Sequence, residues 1–322
     1  MPQSRSSVQI RESQPVYQPD PQRAIVNRHD ILKQFDELTV WRSGDQRAPH
    51  KPLLVLCALG RFTRGEPTDI PFTEVNTDLT ALLTEFGPSR KSYHPEYPFW
   101  RLQNDGVWTV QADGTLTARE GNNDPKKSEL LAHNARGAFL PTVLTGLRAD
   151  PTLVTEIATR LLDGHFPHSL HEDILAAVGL DLEPETATRR KRDPKFRQRV
   201  LVAYEYRCAV CGFDVRLGSA SVALDAAHIR WHQAAGPDTE DNGLALCSLH
   251  HKLLDLGAYT VSPQGVVLVS DQTTGTDGFA ESLLRHHAKP IRLAQRPEWM
   301  PKPDHLDWHG REVFKGQARH AC

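Results

Sequence analysis

Three thiols and an imidazole fall at zinc-ligand spacing in the second half of the chain. Cys208-Ala-Val-Cys211 and Cys247-Ser-Leu-His250 form a C-x2-C…C-x2-H set. Such a set is enough for four tetrahedral ligands around a structural zinc. A second set, His228, Asn242 and His251, is interleaved with the first, and His251 directly follows its last ligand. Three of the five cysteines converge here. The plainer alternative is buried free thiols beside a surface histidine. Cys57 and Cys322 have no partner at metal spacing and read as a core thiol and a tail residue.

The elements that position these residues can be read around them. Ser248 to Leu256 is predicted as a short helix, with Leu253, Leu254 and Leu256 on its apolar face and Gly257 as its stop. Neighbouring helical residues point about 100° apart, so His250 can face the zinc set while His251 faces a different site. Ser221 to Asp225 is predicted as a strand with His228 just past its end. Leu244 to Leu246 is a second strand, and Asn242-Gly243 sits in the turn before it.

From Arg207 to Val269 this pattern resembles the HNH nuclease family, also called the ββα-metal fold. His228 matches the first His of the motif, Asn242 the Asn and His251 the last His. The resemblance implies that His228 takes a proton from the attacking water. It also implies that Asn242 orients that His or helps the metal site. His251 would then ligate one divalent metal, Mg2+ or Mn2+ or similar, at the scissile phosphate. Many members carry an Asp directly before the first His; here that position is Ala227, and Asp225 lies three residues before His228. A zinc-stabilised binding module without catalysis is the alternative.

The chain has 322 residues, with 39% hydrophobic and 24% charged residues and a formal net charge of −2. That length accommodates two domains, each with its own core. No apolar run approaches the ~20 residues that span a bilayer, and the N-terminal residues lack the apolar core of a signal peptide. Few cysteines, most of them in a zinc-like cluster, argue for a reducing cytosol.

Residues 1–25 read as a disordered tail. Ile31, Leu32, Phe35 and Leu38 recur at helical spacing from Arg28 to Leu38. Pro52 at a first helical position suits a central helix Leu53 to Phe62. That places Arg47, His50 and Lys51 just before a helix N-terminus, a ready anion site. Thr73 to Phe86 reads as a helix. The run from Ser89 and Arg90 to Tyr97, Pro98, Phe99, Trp100 and Arg101 mixes basic, aromatic and proline residues, as phosphate contacts beside an apolar surface require. Phe99 to Leu102 and Val107 to Val110 are predicted to flank a hairpin turn at Asn104-Asp105-Gly106.

Over roughly residues 25–180 these motifs resemble the sulfur-binding domain, which reads phosphorothioate DNA. The carrying residues are Arg47-Ala-Pro-His50-Lys51-Pro-Leu-Leu, Tyr97-Pro98-Phe99 and Asn104-Asp-Gly-Val-Trp108. The resemblance implies an apolar cup for the sulfur including Tyr97 and Pro98. Arg47, His50 and Lys51 would be its basic loop, with Ser89 and Arg90 beside them. A small residue that lines the cup in relatives falls at Arg101. Sulfur is larger and more weakly hydrated than oxygen. An apolar cup therefore desolvates it cheaply and leaves an ordinary phosphate oxygen without hydrogen bonds.

Asn134 to Leu180 reads as three or four helices, among them Leu153 to Leu162 and His171 to Val178, with stops at Gly164 and Gly179. Residues 181–195 form a linker. Arg189, Arg190, Lys191 and Arg192 begin a basic stretch that leads into an amphipathic helix containing Phe196, Val200, Leu201 and Tyr204, a DNA-backbone track to which Arg230 also belongs. Beyond the motif, Tyr259 to Val261 and Val266 to Val269 form a hairpin, and residues 270–322 read as an extended closing arm.

The fold class is therefore α+β. A mixed helix/strand DNA-reader domain, residues 26–180, precedes a ββα-metal nuclease domain with a zinc knuckle, residues 196–322. The whole resembles type IV restriction endonucleases that cut phosphorothioate-modified double-stranded DNA in the bacterial cytoplasm. Cutting both strands calls for a homodimer. Two alternatives stay open. One is an HNH enzyme reading another mark, such as a methylated base, or unmodified sequence. The other is a non-catalytic zinc-containing DNA-binding protein.

Overall fold

The computed structural model describes residues 27–41, 44–117, 119, 124–182 and 194–320. The expected tail, residues Arg189 to Arg192 and most of the linker lie outside the described residues.

The first half mixes helices with a small sheet. Helix α1 (Arg28–Asp36) starts at Asn27, whose side chain accepts from the His29 N–H, and buries Ile31, Leu32 and Phe35. Helix α2 (His50–Thr63) begins earlier than expected, so His50 and Lys51 lie in its first turn rather than before it. It is apolar nearly all round and runs through the centre of this half. Gly60 lets the chain at Val178 approach, since a Cβ there would sit 2.1 Å from the Val178 carbonyl. Strand β1 (Ile70–Pro71) leads into α3 (Phe72–Phe86).

The expected hairpin over 99–110 is corrected. Glu96–Arg101 is helix α4, continued by a 3-10 turn to Asp105. Gly106, at φ +71°, ends that turn in the left-handed region before β2 (Trp108–Gln111). Helix α5 (Lys127–Ala132) is followed by β3 (Arg136–Phe139), a strand in a stretch expected to hold only helices. The sheet order is β1-β3-β2, antiparallel throughout. Gly137 of β3 is packed under Trp108 and Phe99, whose rings would lie 2.4 and 2.7 Å from a Cβ. Helices α6 (Pro141–Ala149), α7 (Thr152–His165) and α8 (His171–Val178) complete this half. Helix α7 runs through Gly164, and α8 stops at Gly179 with φ +62°.

The second half opens with α9 (Pro194–Ala203) and the small hairpin β4 (Arg216–Leu217) and β5 (Ala220–Ser221). Strand β6 (Leu224–His228) pairs antiparallel with β7 (Gly243–Cys247), from Leu224↔Cys247 to His228↔Gly243. His228 is thus the last residue of the strand rather than beyond it. Helix α10 (Ser248–Asp255) follows directly, then the hairpin β8 (Tyr259–Val261) and β9 (Val267–Val269). The expected extended arm contains helices α11 (Asp277–Ser282) and α12 (Pro303–Glu312). One hydrophobic core lies among α1–α8 and the first sheet, and a second among α9, β6–β9 and α10. Trp231, Trp308 and Val313 come from the second half yet pack into the first core.

Candidate metal centre and active site

The Cys/His set converges. Cys208 and Cys211 precede β6, Cys247 ends β7, and His250 lies in the first turn of α10, which the β7–α10 junction swings toward them. Their ligand atoms all lie within 4.8 Å of one another. Cys211 Sγ is 3.9 Å from Cys247 Sγ, and His250 Nδ1 is 3.8 Å from Cys208 Sγ and 3.1 Å from Cys247 Sγ. Bonds of about 2.3 Å to sulfur and 2.0 Å to nitrogen at tetrahedral angles place neighbouring ligands roughly 3.5–3.8 Å apart, so the set fits zinc. His250 Nε2 lies 2.9 Å from the Ser282 carbonyl, which fixes the ring and leaves Nδ1 for the cluster. The Cys208 thiol is pushed well down, first by the hydrogen bond from Cys211 and then by that from Cys247.

The second set divides. His228 packs flat on Phe196 of α9, with ring centroids 4.2 Å apart and planes 19° apart. Its Nε2 lies 2.8 Å from Asp238 Oδ1. His251, on the next helix, stands between two carboxylates: Nε2 is 3.3 Å from Asp255 Oδ2 and Nδ1 is 4.0 Å from Asp225 Oδ2. Burial lowers its pKa, but the hydrogen bonds to Asp225 and Asp255 outweigh it and raise the value to about 9. Asp255 belongs to the same helix, one turn on, and is buried. Asp225, from the strand that also carries Ala227, is thus the second carboxylate beside His251.

Asn242, expected to orient His228 or help the metal site, is bonded to backbone. It is fully buried, and its amide is taken up by backbone. Its Oδ1 accepts from the Arg230 N–H at 2.8 Å, and its Nδ2 donates to the carbonyls of Arg230 and Pro237, each at 2.9 Å. Asn242 is the clasp of the loop 229–242. Arg230, expected on the DNA backbone, donates from Nε to the Ala234 carbonyl within that loop.

The reader residues also divide. Arg47 donates to the Glu312 carbonyl at 2.9 Å and the Phe86 carbonyl at 2.8 Å, and its guanidinium lies 3.8 Å from the Trp231 ring centroid. Burial lowers its pKa to about 9 against the opposing pull of Glu312. Lys51 is buried in an ion pair with Asp105. Both side chains, expected at DNA, are held by internal partners in this structure. His50 is held near pKa 4, by burial first and then by His94 and Arg90, so it is neutral at neutral pH. Arg90 makes a two-pronged contact with Glu312 at 2.9 and 3.0 Å, and Ser89 donates to the Phe314 carbonyl at 3.2 Å.

Tyr97 is half-buried beside buried Pro98. Its ring stacks on His94 at 5.0 Å, and its hydroxyl accepts from Arg119 at 2.8 Å. Arg101, where a small residue was expected, lies 4.7 Å from the Tyr97 ring centroid and is tied to Asp124.

Asp238, Asp255, Phe196, Arg119 and Glu312 were missed by sequence reasoning. Of these, Asp255 carried a usable signal, since residues four apart on a helix face each other and His251 is four before it.

Each half is similar to a described family. The family model described as ScoMcrA-like, DNA sulfur-binding domain, matches residues 28–183, and the HNH endonuclease model matches residues 208–262. Among solved structures, the sulfur-binding domain of ScoMcrA complexed with phosphorothioated DNA is similar at 22% identity, over 46% of this chain and 94% of that chain, with a TM-score of 0.41. The sulfur-binding domain of SprMcrA complexed with phosphorothioated DNA is similar at 20% identity over 48% and 94%, TM-score 0.40. The type IV phosphorothioation-dependent restriction endonuclease ScoMcrA is similar at 22% identity, TM-score 0.38; the match covers 46% of this chain and only 27% of that one. No curated protein matches the chain.

Proposed function

We propose that the protein is a modification-dependent endonuclease that recognises phosphorothioated double-stranded DNA with residues 26–180 and hydrolyses nearby phosphodiester bonds with residues 196–322. The observation that carries this reading is the joining, in one chain, of the sulfur-binding family match to an HNH match that contains His228, Asp225 and His251 around β6 and α10. Cleavage of matched duplexes that differ only in one sulfur, with added Mg2+ or Mn2+, tests it.

Cys208, Cys211, Cys247 and His250 would hold a structural zinc, and β6-β7-α10 would be the ββα-metal unit beside it. Asp225 and His251 would hold the catalytic divalent metal. Their facing atoms are 4.0 Å apart, wide enough for an ion bound to both. The Asp255 carboxylate behind the other ring nitrogen is the usual support for a ligating histidine. When bound, that metal stabilises charge on the phosphate and the leaving oxygen. His228 takes the proton of the attacking water. Asn242 keeps the loop after His228 in shape.

The sulfur would lie against Tyr97 and Pro98. His50, Ser89 and Arg90 would flank it, with His50 acting as a neutral hydrogen-bonding group. Arg189, Arg190, Lys191 and Arg192 would follow the DNA backbone. A homodimer would supply one site per strand, and restriction would be exercised in a bacterial cytoplasm. Among the described residues no helix is long and apolar enough to cross a membrane.

A further inference from the structure

A histidine that takes a proton from water must present a ring nitrogen without hydrogen, and its strand alone does not decide which nitrogen that is. Asp238 decides it for His228. A carboxylate only accepts, so at 2.8 Å from Asp238 Oδ1 the Nε2 atom carries the hydrogen and Nδ1 of the neutral ring keeps its lone pair. Phe196 fixes the plane of the ring from one side.

Asp238 is itself held firmly. Its backbone carbonyl accepts from Arg199 Nη2 at 2.6 Å, and Arg199 also pairs with Glu240 at 3.1 Å. The carbonyl just before it, on Pro237, is bound by Asn242. His232 Nδ1 stands 3.7 Å from the same Asp238 oxygen, farther than His228. The loop clasped by Asn242 thus delivers the Asp238 carboxylate to His228 Nε2.

We infer that Asp238 is a positioning residue that holds His228 with its hydrogen on Nε2 and presents Nδ1 to the attacking water. The inference rests on the nuclease reading above. In the step it serves, a water proton passes to Nδ1, the water oxygen bonds to phosphorus and the phosphorus bond to the leaving oxygen breaks. The resulting imidazolium then lies against the Asp238 carboxylate. In this role Asp238 acts through His228.

The test uses the intact protein with Asp238→Asn, Asp238→Ala and Asp238→Glu on phosphorothioated duplex with Mn2+. The expected result for Asn and Ala is a kcat about 10- to 100-fold lower, with KM within about twofold of wild type. Asp238→Glu should recover part of the loss. Nitrogen-15 ring spectra, with His228 assigned through a His228→Gln variant, should place the hydrogen on Nε2 in wild type and show mixed tautomers in Asp238→Ala. Undiminished kcat in Asp238→Ala, or a wild-type ring with its hydrogen on Nδ1, overturns the proposal. If the variants fold poorly, the wild-type ring spectrum still decides. A wild-type protein that cuts no DNA overturns the nuclease reading separately, and the ring spectrum still reports the position of the hydrogen.

Discussion

Replacing Asn242 by Ala removes three hydrogen bonds that close the loop 229–242 and leaves their backbone partners to find others. Each such bond contributes about 1 kcal/mol net. Asn242→Ala should therefore lose roughly 2–3 kcal/mol in urea unfolding of the metal-free protein. A metal-ligating Asn would instead leave metal-free stability intact and weaken metal binding. His228 behaves differently. It sits at a strand end with one ring face on Phe196, so His228→Ala should fold, bind phosphorothioated duplex with wild-type affinity and cut about 10²–10⁴-fold more slowly. Filter-binding and single-turnover cleavage on the same preparation separate the two effects. At this scale the cluster of Cys208, Cys211, Cys247 and His250 was legible because metal chemistry restricts residue types and spacing. Asp238 was not legible, since an Asp in a loop looks like any solvated charge until its partner is placed.

Elements were readable where an apolar period ran uninterrupted. Helix α8 spans His171–Val178 as its pattern dictates, and the β8–β9 hairpin follows its own. The 99–110 hairpin failed because Asn104-Asp105-Gly106 is equally good at ending a 3-10 turn, which is what Gly106 does at φ +71°. Helix α12 was invisible for another reason: its buried face carries His309 and Glu312 beside Leu306 and Trp308, so polar residues break the hydrophobic period.

His309 gives α12 a pH signature. Burial lowers its pKa from 6.5 to about 4, while the neutral ring meets the Thr260 hydroxyl at 2.8 Å and the Leu254 carbonyl at 3.1 Å. The unfolded chain binds this proton first. Stability is therefore undiminished above about pH 6.5, falls as pH drops through 6.5, and levels off near 4 with roughly 3 kcal/mol lost at most. His309→Gln should flatten the decline in melting temperature between about pH 7 and about pH 4.5. For the Cys/His element, Cys211→Ser should lower both zinc content, measured by mass spectrometry, and melting temperature.

Across the whole molecule, the contacts between the halves are long in sequence and had no local signal. Glu312 receives Arg47 and Arg90, Asp255 receives the Ser169 hydroxyl, and Trp231 lies between Arg47 and Trp308. Removing the carboxylate leaves Arg47 buried beside one fewer anion. Glu312→Ala should cost about 1–3 kcal/mol, as leaving the Arg47 N–H without its acceptor does, because the ion-pair partner Arg90 is exposed. An equally stable variant, by calorimetry, would mean that Arg47 relaxes outward. The loop that carries Asp238 is also tied to the reader half, since Gln233 donates to the Phe166 carbonyl at 2.8 Å.

The central claim is that one chain reads sulfur and cuts DNA. The most direct measurement is cleavage by the intact protein of two duplexes identical except for sulfur at one phosphate, at fixed salt with Mn2+. The expected result is metal-dependent cutting of the sulfur-bearing duplex, slowed about 10²–10⁴-fold by His228→Ala, with the oxygen duplex left whole. Equal cutting of both would contradict the sulfur reading and favour another mark or unmodified sequence, and no cutting of either would contradict the nuclease.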